Sequence, residues 1–380
     1  MQKVLVVGDA NSLFIKQYIE SVLIKNGYQV VLIKEGYVSD SRKQEYNELG
    51  VILEDRNVGL ISKIPVFRTL FGASVWCKRM TKKYGTFPIV HVHGVNNFRG
   101  TVGNCMKKYC RKLVISIWGD EILRGSKKRK QSFAKFYNKA EVITTSTSHV
   151  YNQFIKEYGD KYKDKLTTCR FGLSIFDKID EIEEKYTREE ILKELGISNF
   201  SKITVLVGYN GREQQNLIPL TKTLQGLGDA QLNKIIAIYT FTYGIRSEEY
   251  DKELRKELDN LKCEKLFLTE YMNEVQTAKL RCVSDIMLHA QSTDAFSASI
   301  QECLYRGTIV FNGDWLIYNE LNEIGAKLIT FGDYEELQTI LVDYLENYDD
   351  RKGAFVNNRR ALRGLSSQEA TEQAWLNAIR

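Results

Sequence analysis

The sequence predicts an α/β protein made of two consecutive doubly wound parallel-sheet domains. Three observations carry this. The 380 residues exceed one comfortable core and suit two domains of about 170–200 residues each. Short β-rich runs alternate with amphipathic segments, as βαβ crossovers require. The alternation breaks once, over a highly charged helical stretch from Asp177 to Glu194, and then resumes.

In the first half the β-rich runs are Val4–Val7, Gln29–Ile33, Ile89–Val92, Leu113–Trp118, Val142–Thr145 and Leu166–Phe171. Ser12–Lys25, Arg68–Lys83 and Lys127–Lys139 lie between them with helical patterning. The second half repeats the scheme with Ile203–Val207, Lys234–Tyr239, Lys265–Leu268, Asp285–Leu288, Thr308–Phe311 and Lys327–Thr330. This divides the chain into a first domain over 1–172, a helical connection over 173–200 and a second domain over 201–365. The final segment, 366–380, is a polar helix anchored by Trp375 and Leu376 and placed to cross back to the first domain. Open parallel sheets bind ligands beyond the carboxyl ends of their strands, so two Rossmann-like sheets facing each other would enclose a central cleft.

Composition excludes several classes. With 43% hydrophobic and 27% charged residues, the chain reads as an ordinary soluble protein. Its three prolines rule against a Pro-rich linker. No run approaches 18 apolar residues, and the opening residues lack the pattern of a signal peptide, so neither a transmembrane helix nor a leader is expected. The seven cysteines are scattered without a C-x-x-C pair, which argues for reduced cytoplasmic thiols rather than a disulfide framework or zinc site.

The charge is uneven. Ile64 to Lys139 holds 17 Lys or Arg against two acids, Asp120 and Glu121, and the rest is acidic on balance. Val66–Lys83, Cys105–Lys112 and Ser126–Lys130 interleave aromatic or apolar residues with these cations. Phe67, Leu70, Phe71, Val75 and Trp76 stand among the cations of the first segment. This suits docking on an anionic membrane surface. A basic nucleic-acid-binding protein would share the charge, but no reader module is recognisable.

The most informative segment is Ser284–Gly307. A buried strand runs through a polar loop into a helix starting near Ser297, a candidate N-cap. Helix amides and dipole there suit a diphosphate. Glu302, more than one turn in, could reach a vicinal diol, and Asp294 precedes the helix. Around Phe296, with Ala295 and Ser297 where two glycines would stand, this pair of acids resembles the donor-binding signature of retaining GT-B glycosyltransferases, family 4 especially. Phe267–Asp285 resembles the segment that precedes it in that family. The resemblance implies that Glu302 binds ribose hydroxyls and that Asp294 orients the sugar or leaving group. It also implies that the backbone at Tyr271 and Met272 contacts the base, while Phe296, Ser297 and Ala298 line the diphosphate.

Val207–Asn216, VGYNGREQQN, follows the first strand of the second half. Gly211 and Arg212 resemble the family's Gly-Arg, with Leu217 and Ile218 where its Lys would stand. Arg212 offers a fork of donors to a diphosphate. With Thr242–Gly244, the segment also resembles bacterial fucosamine transferases. In the first half, HVHG (His91–Gly94) and WGDE (Trp118–Glu121) end strands at positions where the family has His-x-His and His-Gly-Ser-Asp/Glu, which implies catalytic or acceptor roles for His93 and Asp120. Gly8–Ser12 is not G-x-G-x-x-G, so a dehydrogenase fingerprint is absent.

The expected function is transfer of a sugar from a nucleotide-diphosphate sugar to a glycan or lipid-linked acceptor, with retention by resemblance, in bacterial surface glycan synthesis. The nucleotide sugar is a co-substrate; no cofactor, metal or nucleic acid is expected. The expected location is cytoplasmic, peripheral at the inner face of the membrane. A sugar-nucleotide 2-epimerase on the same fold is an alternative chemistry.

Overall fold

The computed structural model describes residues 2–55, 65–244 and 246–380, with the side chains of 65–71 outside that description. The chain divides into unit 1, Met1–Gly172 with Gln368–Arg380, and unit 2, Leu173–Ser367.

Unit 1 has a seven-stranded parallel sheet. Its strands are β1 (Lys3–Val7), β2 (Gln29–Lys34), β3 (Ile52–Asp55), β4 (Phe87–His93), β5 (Cys110–Ile117), β6 (Val142–Thr145) and β7 (Leu166–Thr168). They run in the order β3-β2-β1-β4-β5-β6-β7, with Val4 opposite both Val30 and Ile89. Val4, Leu5, Val6 and Val7 are fully buried, as strands covered on both faces must be. β3 is the strand that hydrophobic runs do not reveal: its sequence is ILED, and it lies at the sheet edge where a polar strand is tolerated. The segment expected as one helix from Ser12 is α-helical over Leu13–Tyr18 and widens into a π-helical stretch over Ile19–Ile24. The closing helix, Gln368–Ile379, buries Trp375, Leu376 and Ile379 in this core. The Trp375 indole donates to the Arg170 carbonyl at 2.7 Å.

Unit 2 has a six-stranded parallel sheet: β8 (Ile203–Val207), β9 (Ile235–Thr240), β10 (Glu264–Leu268), β11 (Ile286–His289), β12 (Ile309–Gly313) and β13 (Ile329–Phe331). Their order is β10-β9-β8-β11-β12-β13. The charged stretch before it is two helices, Ile175–Lys185 and Arg188–Glu194. They part at Tyr186 and Thr187, where Thr187 and Glu190 form a capping box that starts the second helix.

Each sheet reverses its winding direction once, between β1 and β4 and between β8 and β11. Such switch points leave a crevice beyond the strand ends. In unit 2 the two loops that flank it are 208–216 and 290–297.

Candidate functional site

The two loops of unit 2 are bonded to each other. Gly208 takes φ +64° directly after β8, and a Cβ there would lie 2.8 Å from Leu217; glycine alone makes this turn cheaply. Asn216, at φ +53°, is the one non-glycine in the left-handed region among the described residues. Its side-chain amide donates to the Ala290 carbonyl at 2.7 Å, which repays the conformation. The Ser292 amide donates to the Gln214 carbonyl at 2.9 Å. The Tyr209 hydroxyl donates to Gln291 Oε1 at 2.5 Å, and Gln215 donates to the same oxygen. The Trp315 indole donates to the Gln291 carbonyl at 2.8 Å.

The helix after the second loop runs from Ala298 to Arg306, with Ser297 at its N-cap position. The Ser297 hydroxyl makes no capping bond, which corrects the expectation that it caps the helix. The loop closes instead through Asp294, whose Oδ2 accepts from the Ser297 amide at 2.6 Å and from the Tyr318 hydroxyl at 2.7 Å. Phe296 packs on Tyr318 with ring centroids 5.5 Å apart. The first-turn amides that follow, from Ala298 onward, have no intrahelical acceptor, so an anion seated before the helix would meet donors and the positive end of the dipole.

Glu302 is 7% exposed. Its Oε2 accepts from Arg281 Nε at 2.8 Å, and Arg281 also reaches the Ser299 hydroxyl at 3.1 Å. Glu302 therefore has a structural partner that its spacing did not announce. The bond from Arg281 is made to Oε2.

Arg212 is exposed and forms no ion pair among the described residues. Its backbone is fixed: the Arg212 amide donates to Asn210 Oδ1 at 2.9 Å, the Gly211 amide to the Tyr243 carbonyl at 2.9 Å, and Arg246 to the Gly211 carbonyl at 3.1 Å. The half-exposed Tyr243 ring reaches Asn210 through its hydroxyl at 3.4 Å. Burial, above all, raises the Tyr243 phenol above its ordinary value, while Arg281 and Glu302 act on it in opposite directions. Phe241 and Phe267 stack at 6.0 Å. Tyr271 is 77% exposed, and Met272 is partly exposed just before the capped helix Glu274–Val283.

The sequence reading missed Tyr209, Gln291, Tyr318, Arg281 and His289. Only Tyr209 and Gln291 had a signal, as polar residues two positions beyond a strand end. His289 ends β11 fully buried; Nδ1 meets Asn312 Oδ1 at 2.9 Å, and Nε2 has no partner among the described residues.

In unit 1, His93 ends β4 and is fully buried. It stacks on His91 at 3.8 Å among Tyr18, Trp118, Phe171 and Trp375, and neither ring nitrogen has a hydrogen-bond partner among the described residues. Burial first, then His91 and Arg99, hold its pKa well below the ordinary histidine value. His91 is linked from the Tyr18 hydroxyl at 2.7 Å to the Ser116 hydroxyl at 2.6 Å, and burial lowers it to about 3. Asp120 is exposed, near Arg124 and Arg129 at 3.6 and 3.8 Å. Its neighbour Glu121 organises the loop: buried, it accepts from the amides of Val95, Trp118 and Gly119 at 2.6, 3.1 and 3.1 Å.

On the basic helix Pro65–Tyr84, Lys78, Arg79, Lys82 and Val75 are exposed. Trp76 is not a surface anchor as expected: it is 1% exposed, and its indole donates to the Asp55 carbonyl at 3.0 Å. Lys83 binds Glu54 at 2.5 Å. Ile64 and the side chains of Phe67, Leu70 and Phe71 lie outside the described residues. No described helix is long and apolar enough to cross a membrane.

No protein-family model and no curated protein matches the chain. Solved structures do. Anabaena Alr3699/HepE in complex with UDP and glucose is 14% identical, with a TM-score of 0.76 over 100% of this chain and 99% of that one. A glycosyltransferase from Rickettsia africae is 15% identical, with a TM-score of 0.76 over 100% and 97%. Sucrose-phosphate synthase from Thermosynechococcus elongatus is 13% identical, with a TM-score of 0.75 over 99% and 98%. The chain shares the GT-B fold with these proteins.

Proposed function

We propose that the chain is a glycosyltransferase of the family 4 type, moving a sugar from a nucleotide-diphosphate sugar to a glycan or lipid-linked acceptor in bacterial surface glycan synthesis. The carrying observation is the pair of bonded loops at the unit 2 switch point, which aim a helix N-terminus and set the exposed Arg212 nearby. The full-length likeness to a structure holding UDP and glucose supports it. Arg212 and the amides from Ala298 onward would neutralise the diphosphate, with no metal needed. Glu302 Oε1 would accept from the ribose hydroxyls, and Asp294 Oδ1 from the sugar. Tyr271 and Met272 would contact the base, and His93 and Asp120, both residues of unit 1, would take the catalytic or acceptor roles that the resemblance implies. In the retaining step the bond from the anomeric carbon to the diphosphate breaks, the acceptor oxygen bonds on the same face, and its proton passes to a phosphate oxygen. The exposed Lys78, Arg79 and Lys82 would hold the protein to an anionic inner leaflet.

Titration calorimetry with UDP, GDP and dTDP tests the donor site. Failure of all three at millimolar concentration would remove the reading. Incubation with nucleotide sugars alone then separates chemistries: a changed sugar means an epimerase, whereas intact donor or slow hydrolysis means a transferase.

A further inference from the structure

Two of the seven cysteines meet in unit 1, far apart in sequence and with no pairing motif. Cys77 lies on the inner face of helix Pro65–Tyr84, fully buried. Its thiol points at helix Asn97–Met106, with Sγ 3.8 Å from the Val102 carbonyl. Cys105 stands three residues beyond Val102, one turn on along the same face of that helix, which sets its side chain beside the Cys77 thiol. Cys105 is partly exposed, so one member faces solvent and the other is shielded behind it.

We propose that Cys105 and Cys77 form a redox-active dithiol which a hydroperoxide converts into a disulfide, tying the basic helix to its neighbour. The environment suits the chemistry. The neighbouring Cys77 thiol lowers the Cys105 pKa, against an opposing push from burial and with help from Lys108, to about 7. Burial instead raises Cys110 to about 11. An accessible thiolate beside a second thiol is the arrangement of a peroxide-sensitive pair. The Cys105 thiolate attacks the peroxide O–O bond, becoming a sulfenic acid and releasing hydroxide or alkoxide. The Cys77 sulfur then displaces the sulfenic oxygen as hydroxide, which takes up the Cys77 proton to leave as water. The two thiols lose two electrons, and the peroxide is reduced by two. A dithiol reductant reverses the bond.

The test treats the reduced full chain with stoichiometric hydrogen peroxide, then counts thiols under denaturing conditions and maps disulfides by mass spectrometry. The expected result is a fall from seven thiols to five, a Cys77–Cys105 linked peptide, and full recovery with dithiothreitol. Cys105→Ser should abolish the loss, and Cys110→Ser should leave it unchanged. Without any substitution, iodoacetamide at pH 7 should label Cys105 at least about tenfold faster than Cys110. Seven remaining thiols, a disulfide through Cys110, or Cys105 sulfinic acid beside free Cys77 would each overturn the proposal.

Discussion

At the scale of single residues, Glu302 and Arg212 test different parts of the proposed donor site. Glu302→Ala leaves the buried Arg281 guanidinium without its carboxylate, a loss of about 3–5 kcal/mol in stability for a broken buried pair. Glu302→Gln keeps an acceptor for Arg281 and should unfold less readily. It would still lose the proposed charge-assisted bond to the ribose, worth about 1.5–3 kcal/mol, or roughly tenfold or more in UDP affinity by calorimetry. Unchanged affinity with a lowered melting temperature would leave Glu302 purely structural. Arg212→Ala should keep the wild-type melting temperature, because the side chain is exposed, while weakening UDP far more than uridine. Equal losses for both ligands would take Arg212 away from the diphosphate. The buried histidines of unit 1 give a pH signature. Their folded pKa values lie below the unfolded value of about 6.5, so the unfolded chain binds more protons as pH falls. Stability is therefore full above about pH 6.5 and declines below it by about 1.4 kcal/mol per pH unit for each histidine, for His91 until about pH 3. His93→Leu should reduce that slope for unit 1 in calorimetry between pH 7 and 5; an unaltered slope would show that His93 protonates freely.

At the scale of elements, the loops after strands carry both the fold and the site. The turn following β5 is held by Glu121, not by Asp120 beside it. Glu121→Ala should strand three backbone amides, each worth about 1–3 kcal/mol when left unsatisfied. Asp120→Asn, at an exposed position, should hardly move the melting temperature. A reversed order would mean the loop is supported elsewhere. The same logic separates Asp294 from an isolated loop carboxylate, since Ser297 and Tyr318 orient it before any ligand arrives. Strands covered on both faces announced themselves as apolar runs, whereas β3 did not. An edge strand of two apolar and two acidic residues has neither the length nor the alternation that periodicity detects.

At the scale of the whole molecule, charge is segregated toward unit 1, and the basic helix Pro65–Tyr84 exposes Lys78, Arg79 and Lys82. Exchanging Lys78, Arg79 and Lys82 for Ser should cut co-sedimentation with anionic vesicles at low salt, since each basic residue near such a surface contributes about 1 kcal/mol. UDP affinity should stay intact, because its proposed site lies in unit 2. Equal binding to neutral and anionic vesicles, or none to either, would end the membrane reading. The amino-acid sequence by itself determined the two doubly wound halves and the helix start near Ser297. Hydrophobic periodicity and turn chemistry are local properties, written within a few residues of one another. Long-range partners were decided only by the tertiary structure. Arg281 meets Glu302, Tyr318 meets Asp294, Cys77 meets Cys105 and Trp375 returns to the first core because parallel crossovers bring together residues from separate βα segments. No local pattern records that register: a side chain's partner depends on which strands become neighbours, and that choice follows from burying the whole core at once.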